Sequence, residues 1–402
     1  MRPKVVLNKK SAPIPPGIAR TTTLGASCAG GLEAVLSREL AGYGHEVVEE
    51  RNGLVYFSGT IHDLPKLSAA LRTASRLFVP LITCTPADHD QLYREAQRIP
   101  WEEIIPVDAT FSISASTASP VFRDHRFLAM RLKDAIVDRQ RGKSGGTRSS
   151  VSRDRPQVIV AIHAGKQDVV ISLDATGSPL HERGYRTEAG DAPLRETLAA
   201  GMVLMAWEQG VPAVLVDPFC GSGTIVIEAA LIALRRAPGV AVQKPRRHQY
   251  SRWPWFPRSA SAPPSLADAP LVDNVQIIAA DHDPAMVELA QRNAERAGVA
   301  EAIQFHVAPF AELATILPPE QEWSNRGGVT MISNPPWGTR LKPEDLGGLY
   351  GDMRETIRRM GIQGWILSGE PVPRELIPEK PRRRVSLYNG GLQSQFVNLQ
   401  LP

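Results

Sequence analysis

The stretch "AVLVDPFCGSGTIVIEAALIAL", residues 213–234, has the pattern of a buried strand, a glycine turn and a helix. Apolar residues lead up to Asp217, and a Gly-Ser-Gly turn at 221–223 precedes the apolar helix. Ligands of open α/β sheets bind beyond the carboxyl ends of the strands, where glycines let backbone amides approach closely. The spacing is not the GxGxxG of dinucleotide sites, and the P-loop lysine is absent. We therefore predict a different kind of cofactor loop in a doubly wound parallel sheet.

A second strand with an acidic tip follows in "NVQIIAADHDPAMVELAQRNAERAG", residues 274–298. Asp281 ends the apolar run, and a helix is predicted to begin near Pro284. An acid at this place in such a sheet accepts the two hydroxyls of a ribose. Because Asp283 is well placed to cap the helix, we expect the Asp281 carboxylate to be free for a ligand.

A fourth strand ends abruptly in "VTMISNPPWGTRL", residues 329–341. Pro335 and Pro336 cannot donate to a sheet ladder, and each biases its predecessor toward extended geometry. The chain is therefore expected to leave the sheet stiffly at Asn334, with the ring of Trp337 close behind. A proline-rich turn that only caps a core strand is the simpler interpretation, but it does not explain the two acidic strand tips nearby.

Length and composition describe a folded chain of several domains. The 402 residues are 43% hydrophobic and 22% charged, and no apolar run is long enough to span a bilayer. The first 20 residues lack the apolar core of a secretory signal and are expected to form a flexible tail. Three widely spaced cysteines fit neither a disulfide framework nor a zinc site. These features predict a cytoplasmic protein without a membrane segment or a metal.

Basic residues are concentrated in two stretches. Residues 123–155 hold ten Lys/Arg and four Asp, and residues 235–258 hold seven Lys/Arg and no acid, although the whole chain carries only +4. Such concentration favours binding to a polyanion such as RNA, because phosphate contacts supply most sequence-independent affinity. The alternative for each stretch is a solvated basic face.

The hydrophobic pattern changes along the chain. A strand, a helix and a hairpin at Asn52-Gly53 are predicted within residues 21–60, and a basic helix is expected at roughly 124–140. From about residue 192 strands and helices alternate. The insertion at 236–274 is rich in Pro, Ser, Arg and Trp; its aromatic residues are expected either to order over nucleic acid or to pack onto the adjacent domain.

Several motifs together resemble one enzyme family. "DPFCGSGT" (217–224), the acid of "AADHDPAM" (279–286) and "NPPWG" (334–338) resemble class I S-adenosylmethionine-dependent methyltransferases that modify exocyclic amino groups. The stretch at 171–206 and "VSLYNGGLQSQFVNLQL" (385–401) are similar to the junction and closing hairpin of THUMP-containing RNA guanine-N2 methyltransferases. The resemblance covers the chain from about residue 20 to its end.

The resemblance implies an α/β fold with a C-terminal Rossmann-like class I methyltransferase domain, which is a mostly parallel doubly wound sheet with a closing hairpin. N-terminal α+β ferredoxin-like and THUMP domains precede it. The expected division is a tail (1–20), a ferredoxin-like unit (21–60), a THUMP RNA-binding domain (61–175), a linker (176–191) and the methyltransferase domain (192–402).

The resemblance also implies the site residues. S-adenosyl-L-methionine would be bound by Asp217, Phe219, Cys220, Gly221, Gly223, Thr224, Asp281, His282, Glu196 and Thr197. The charge concentration at 123–155, rather than the resemblance, gives the candidate RNA-binding residues Arg123, Arg126, Arg131, Lys133, Arg139, Arg141, Lys143 and Arg148. Cys220 is interpreted as a small hydrophobe rather than a nucleophile, and Glu196 and Thr197 are also candidates to cap the helix that they begin.

One position departs from the family pattern. The third strand, "AIQFHVAPFAEL" (302–313), has Ala308-Pro309 where such enzymes often carry an acid that binds the adenine amino group. Either Glu312 or a backbone carbonyl would take that place, or cofactor affinity would be lower than usual.

The proline corner gains a chemical role from the resemblance. A guanine N2 lone pair is delocalised into the ring, so the nitrogen reacts only when its hydrogens are held and its geometry is pushed toward tetrahedral. The Asn334 side-chain oxygen and the Pro335 carbonyl are two acceptors for that amino group, Pro336 stiffens the turn, and Trp337 offers a stacking face. Since the base must leave its stack, a flipped or single-stranded guanosine is expected.

Three functions are compatible with these patterns. The foremost is guanine-N2 methylation of ribosomal RNA, most of all 23S rRNA, by a monomer; the same chemistry on tRNA is an alternative. A non-catalytic RNA-binding assembly factor that kept the fold is the third. A nicotinamide oxidoreductase is disfavoured by the absent GxGxxG spacing.

Overall fold

The structure is a computed structural model, and it describes residues 14–186, 194–239, 248–257, 275–336, 343–369, 383–389 and 392–399. Its described strands form an eight-stranded sheet in the N-terminal half and a seven-stranded sheet in the C-terminal half. Within the described residues, no helix has the length and apolar character needed to cross a membrane. All three cysteines are free thiols.

The N-terminal half alternates strands with helices that cover the sheet. Its strands are β1 (Thr23–Ser27), β2 (Val47–Arg51), β3 (Leu54–Ser58), β4 (Arg76–Cys84), β5 (Thr110–Thr117), β6 (Ser150–Val151), β7 (Val158–Ala164) and β8 (Val169–Asp174). Its helices are α1 (Pro16–Ala19), α2 (Glu33–Gly42), α3 (Leu64–Ala70), α4 (His89–Gln97), α5 (Trp101–Ile104) and α6 (His125–Lys143).

The sheet order in this half is β2-β3-β1-β4-β8-β7-β5-β6. The hairpin expected at Asn52-Gly53 joins β2 and β3, and Gly53 has the positive φ of +71° that such a turn requires. Strand β4 pairs with β1 on one side and β8 on the other, so one sheet runs through the expected boundary at residues 60 and 61. Part of the expected flexible tail is helical in α1, which buries Ile18; residues 1–13 lie outside the described residues.

The basic helix predicted at 124–140 is α6. The Asp124 carboxylate caps it by accepting hydrogen bonds from the backbone N–H groups of Arg126 and Phe127. Apolar residues of one face, among them Leu128 and Leu132, are fully buried against the sheet, which leaves the basic residues on the outer faces.

The C-terminal half begins with helix α7 (Glu196–Ala206). Its strands are β9 (Val214–Asp217), β10 (Gln276–Asp281), β11 (Ile303–Val307), β12 (Val329–Ser333), β13 (Gln363–Gly369), β14 (Arg384–Asn389) and β15 (Leu392–Asn398). Its further helices are α8 (Thr224–Ala233), α9 (Pro284–Arg296), α10 (Leu313–Ile316) and α11 (Pro343–Met360).

The order of this sheet, β11-β10-β9-β12-β13-β15-β14, determines where a ligand can bind. The strands from β11 to β13 are parallel, whereas β15 and β14 are antiparallel and form the expected closing hairpin. The chain passes from β9 to β10 and β11 on one side and then returns to β12 on the other side. The carboxyl ends of β9 and β12 therefore meet at the switch point, which is where ligands of such sheets bind.

The aromatic residues of the insertion pack against the N-terminal half. Trp253, Trp255 and Phe256 are buried in the same core as Trp101, and the Trp255 indole N–H donates to the carbonyl of Ile104 at 3.0 Å. Of the two interpretations of these rings, the surface that orders over nucleic acid is wrong and the packing alternative is confirmed. Burying three large aromatic rings in an existing apolar core has a more favourable free energy than leaving them exposed to water.

The two halves also share a core. Leu32, just before α2, and Val35, within it, pack among side chains of α7 and α8. A Cβ on Gly201 would lie 2.6 Å from a Leu32 methyl carbon. A buried ion pair between Arg183 and Glu228, 3.5 Å apart, joins the expected linker to α8. The helix after the glycine turn is therefore held by residues from outside the C-terminal sheet.

Candidate active site

The glycine turn after β9 has the geometry of a ligand loop. Gly221 and Gly223 have φ values of +51° and +83°, which favour glycine. A Cβ on Gly223 would lie 2.9 Å from the Ala290 Cβ of α9, whereas a Cβ on Gly221 would meet no heavy atom within 4 Å. The turn is thus packed closely against α9 on one side and open on the other.

An asparagine that the sequence did not single out supports this turn. Asn293 lies on the buried face of α9, is fully buried, and donates its side-chain N–H to the carbonyl of Ser222 at 3.0 Å. The sequence could have identified Asn293 by its position between Ala290 and Ala294 on an otherwise apolar helix face, because a buried amide needs a hydrogen-bond partner.

Asp217 joins the ends of β9 and β12. Its side chain is buried, and one carboxylate oxygen accepts from the Ser333 hydroxyl at 2.6 Å and from the Phe219 backbone N–H at 3.2 Å. Burial raises the pKa of this carboxyl to about 7, although both hydrogen bonds lower it. Both of these hydrogen bonds are made within the protein, and they connect the glycine turn to the proline corner.

Asp281 ends β10 beside the glycine turn. Its carboxylate accepts from the backbone N–H of Gly221 at 3.0 Å and of Asp283 at 3.1 Å, and His282 Nδ1 lies 3.1 Å away. The turn and the strand tip are adjacent, so Asp281 already has protein partners, and its role as a ligand acceptor stays a prediction. Asp283 caps α9 through the N–H of Ala285, as predicted.

A carboxylate offers about four acceptor positions, so Asp281 keeps capacity for a ligand hydroxyl. The exposed His282 ring lies at the rim of the same place. Cys220, in the turn itself, is buried; burial raises the pKa of its thiol well above the ordinary value, so the thiol stays protonated, as expected for a small hydrophobe.

Glu196 and Thr197 begin α7, but neither side chain caps it, because the residue at the cap position is Arg195 and no side chain bonds the first turn. The interpretation of Glu196 or Thr197 as the N-cap residue of α7 is therefore wrong, because Arg195 holds that position. Both side chains are buried, and Glu196 Oε2 and Thr197 Oγ1 have no hydrogen-bond partner among the described residues. Buried polar atoms without partners are uncommon, so these two are candidates to meet polar groups of a ligand.

Arg186 is a second residue that the sequence did not single out. Its guanidinium lies 3.2 Å from Glu196 and donates to the carbonyl of Leu194 at 2.9 Å and to Thr224 Oγ1 at 3.4 Å. It thereby connects the start of α7 to the start of α8. Burial raises the pKa of Glu196 to about 7, although the guanidinium lowers it.

The segment after β11 meets the residues just before the glycine turn through aromatic rings. Phe219 stacks on Phe310 with centroids 5.5 Å apart. Ala308 donates its backbone N–H to the carbonyl of Asp281, and Glu312 is exposed.

The proline corner directly follows β12. Pro335 is buried, and Asn334 and Pro336 are partly exposed. The Tyr350 hydroxyl of α11 donates to the Pro336 carbonyl at 2.7 Å, a contact that the sequence did not indicate. Trp337 lies outside the described residues.

The basic residues expected to bind RNA fall into two groups. Arg139 forms two hydrogen bonds with the Glu102 carboxylate, at 3.0 and 2.9 Å, and Arg131 pairs with Asp90 while stacking 4.4 Å over the Tyr93 ring. Acidic residues of the preceding helices engage these two arginines, so their contact with RNA stays a prediction that would require these pairs to open.

The other six residues lie along α6 and its flanks. Arg123, Arg126, Arg141, Lys143 and Arg148 are exposed. Lys133 and Arg141 have acidic neighbours at 2.9 and 3.6 Å, whereas Arg126 and Lys143 form no ion pair among the described residues. Among all the residues that the structure describes, no group of three or more His, Cys, Asp or Glu side chains could hold a metal ion.

Three protein families match the chain. Residues 183–398 match the RMKL-like methyltransferase domain, residues 86–174 the THUMP domain, and residues 23–78 the RlmL ferredoxin-like domain. The predicted fold class, with these three kinds of domain, is thereby confirmed.

Individual relatives support the same family assignment. A ribosomal RNA large subunit methyltransferase K/L of Psychromonas ingrahamii is 35% identical over 385 residues, which cover 92% of this chain and 49% of that protein. The chain spans about half the length of the curated relatives it matches.

Solved structures are similar over nearly the whole chain. A possible methylase from Clostridium difficile 630 is 29% identical with a TM-score of 0.79, covering 95% of this chain and 98% of that one. A putative methyltransferase in complex with SAH is 27% identical with a TM-score of 0.77, covering 94% of this chain and 97% of that one. These matches extend over most of the chain, and the glycine turn and the proline corner meet at one switch point of the sheet. The chain therefore belongs to the RMKL-like methyltransferase family.

Proposed function

We propose that this protein transfers a methyl group from S-adenosylmethionine to the exocyclic N2 amino group of a guanosine in 23S ribosomal RNA. The observation that carries the proposal is the hydrogen bond between Ser333 and Asp217, which places the proline corner beside the glycine turn. The name of the Psychromonas relative, a ribosomal RNA large subunit methyltransferase, supports the choice of RNA. An enzyme acting on ribosomal RNA would work in the cytoplasm, and we propose that it acts there as a monomer.

The residues around the glycine turn fit S-adenosylmethionine. Gly221 borders open space, and Glu196 Oε2 and Thr197 Oγ1 are buried without a partner among the described residues. Asp281 would accept from the ribose hydroxyls with its remaining lone pairs, and Glu196 would face the cofactor's ammonium group. When bound, the cofactor supplies a methyl group on a positively charged sulfur. SAH in the related putative methyltransferase supports the same assignment.

The proline corner would prepare the amino group. The Asn334 side-chain oxygen and the Pro335 carbonyl would accept hydrogen bonds from its two N–H groups, which draws the nitrogen out of conjugation with the ring and exposes its lone pair. The nitrogen would form its new bond to the methyl carbon as the carbon–sulfur bond breaks, leaving a neutral thioether, and one N–H proton would then be released to water. Holding two reactants in line contributes up to about 7–11 kcal/mol to such reactions. Trp337 would stack on the base, which fixes the plane of the ring relative to these acceptors.

The N-terminal half would bind the RNA. We propose the THUMP domain (61–175) as its main contact, through the exposed side chains of Arg123, Arg126, Arg141, Lys143 and Arg148. The ferredoxin-like unit (21–60) precedes it, and residues 192–402 form the methyltransferase domain. Because the halves share a core, the RNA-binding surface and the site would keep a fixed spacing.

The test is mass spectrometry of nucleosides from purified 23S rRNA and tRNA of a strain that lacks the gene, with the intact gene restored as control. Loss of N2-methylguanosine from 23S rRNA alone is the expected result. Loss from tRNA alone would change the substrate, and loss of another methylated nucleoside would refute guanine N2 as the target. Unchanged nucleosides with defective large subunits would favour the non-catalytic assembly factor.

A further inference from the structure

The proline corner lacks the usual means of holding a turn in place. Pro335 and Pro336 have no backbone N–H, so neither can tie the turn by donating a hydrogen bond. The acceptors at 334 and 335 can orient an amino group only if the turn is fixed, because a displacement of about 1 Å costs about a hundredfold in rate. Side chains from outside the turn can supply hydrogen bonds that the two prolines cannot donate.

One such side chain is Ser333, immediately before the turn. The pairing of β12 with β9 runs from Val329–Val214 to Met331–Val216. The Ser333 hydroxyl, fully buried, then bonds the Asp217 carboxylate at 2.6 Å. This side-chain contact extends the attachment between the two strands to the residue that precedes Asn334.

The other is Tyr350, which approaches from α11. Its hydroxyl donates to the Pro336 carbonyl at 2.7 Å, at the far end of the turn. The ring is buried, and Met353 and Ile357 of the same helix pack with Met331 in one core. Burial raises the pKa of Tyr350 to about 12, so the phenol keeps its proton at neutral pH.

We propose that Ser333 and Tyr350 are positioning residues that clamp the turn from both ends and so aim the Asn334 and Pro335 acceptors at the amino group. Neither touches the substrate. The inference rests on the proposed function, because it assigns these residues to the same methyl transfer.

Kinetics of the full-length protein test the clamp. Tyr350→Phe removes one hydroxyl and keeps the packed ring, so kcat should fall about tenfold to a hundredfold. The KM for RNA and the Kd for S-adenosylmethionine should stay within twofold, because neither ligand touches the hydroxyl. A change in KM alone, or an unchanged kcat, would overturn the role of Tyr350.

Ser333 is tested by a pair of substitutions. Ser333→Ala removes the hydroxyl that donates to Asp217 and adds no atoms, so kcat should fall. Ser333→Thr keeps the hydroxyl and should recover most of that loss. Equal activity of the two variants would remove Ser333 from the clamp.

Matched controls lose comparable hydroxyls elsewhere. Tyr250→Phe removes a buried phenol that lies 3.3 Å from Ser68 in the N-terminal core, and Ser368→Ala removes a buried hydroxyl on β13, next to β12. Both should keep the wild-type kcat. A loss in the controls as large as in Tyr350→Phe would mean that general destabilisation explains the effect.

Hydrogen–deuterium exchange separates the clamp from the proposed function. The Asn334 N–H, the last backbone amide before the two prolines, should exchange faster in Tyr350→Phe than in wild type, with unchanged exchange in the N-terminal half. Unchanged exchange at Asn334 overturns the clamp, whatever the activity. If wild type methylates neither RNA, the proposed function fails, and the exchange experiment still decides whether Tyr350 holds the turn.

Discussion

The Ser333 hydroxyl lies 2.6 Å from the Asp217 carboxylate, so the strand that ends in the proline corner is bonded to the strand that ends in the glycine turn. The two parts of the site are 116 residues apart in sequence. A methyl donor at one and an amino group at the other would thus be held by neighbouring strands of one sheet.

Replacing the amide at the corner should strongly reduce turnover while leaving binding intact. Asn334→Ala removes an acceptor that interacts most strongly as the amino nitrogen becomes tetrahedral, so kcat should fall about a hundredfold to a thousandfold with little change in KM. Single-turnover methyl transfer measures this. Gln304→Ala removes an exposed amide on the edge strand β11 and is the control. A rate for Asn334→Ala within a few-fold of wild type would make the corner a structural turn.

The carboxylate at the end of β10 should determine cofactor affinity. Asp281→Ala removes the expected ribose acceptor and also releases the Gly221 N–H, so calorimetry should show at least about tenfold weaker binding of S-adenosylmethionine. Asp283→Ala removes only the cap of α9 and should leave affinity within a few-fold. Similar losses in both variants would assign the effect to the helix rather than to the ribose.

Exposed basic residues should determine the salt dependence of RNA binding. Replacing Arg126, Arg141, Lys143 and Arg148 by glutamine should reduce the slope of log K against log salt by about one for each lost phosphate contact. Arg139→Gln should instead lower the melting temperature and keep the slope, because Arg139 bonds Glu102. If Arg139→Gln reduced the slope as much as a surface substitution does, its pairing with Glu102 would not exclude RNA.

Stability should decrease as the pH rises toward neutrality. Burial raises the pKa of Asp217 and of Glu196 to about 7, so the folded protein retains protons that the unfolded chain has already lost. This contribution is complete below the unfolded pKa values and is lost as the pH rises through the folded ones, with a slope of up to about 1.4 kcal/mol per pH unit for each group.

Denaturant unfolding of Asp217→Asn between pH 4 and 8 measures that slope. The amide oxygen can still accept from Ser333, but the side chain no longer titrates, so part of the decrease should disappear. Asp88→Asn, which alters an exposed helix cap, is the control for a carboxylate outside the site. A variant with the wild-type slope would show that Asp217 does not titrate in this range.

The insertion should contribute to stability rather than to RNA affinity. Trp255→Ala empties a buried site in the N-terminal core and should cost about 3–5 kcal/mol of unfolding free energy, with less lost in Trp255→Phe. The salt dependence of RNA binding should not change. An undiminished free energy of unfolding together with weaker RNA binding would restore the nucleic-acid interpretation of these rings.

Short-range patterns in the sequence determined much of the architecture. The apolar run, glycine turn and helix at 213–234 predict their own geometry, because Gly221 and Gly223 adopt conformations that other residues disfavour. The hairpin at Asn52-Gly53 and the cap at Asp283 are similarly local. In each case the residues that specify the structure are within a few positions of one another.

Only the tertiary structure decided which polar groups find partners. Arg139 meets Glu102 from 37 residues away, Trp255 meets Ile104 from 151 residues away, and Asp281 meets Gly221 from 60 residues away. None of these three contacts is encoded by periodicity or by a turn motif, because each depends on how helices and strands pack after they form. The same packing brings Tyr350 to the Pro336 carbonyl, so the sequence indicated the acceptors of the corner and the fold supplied what holds them.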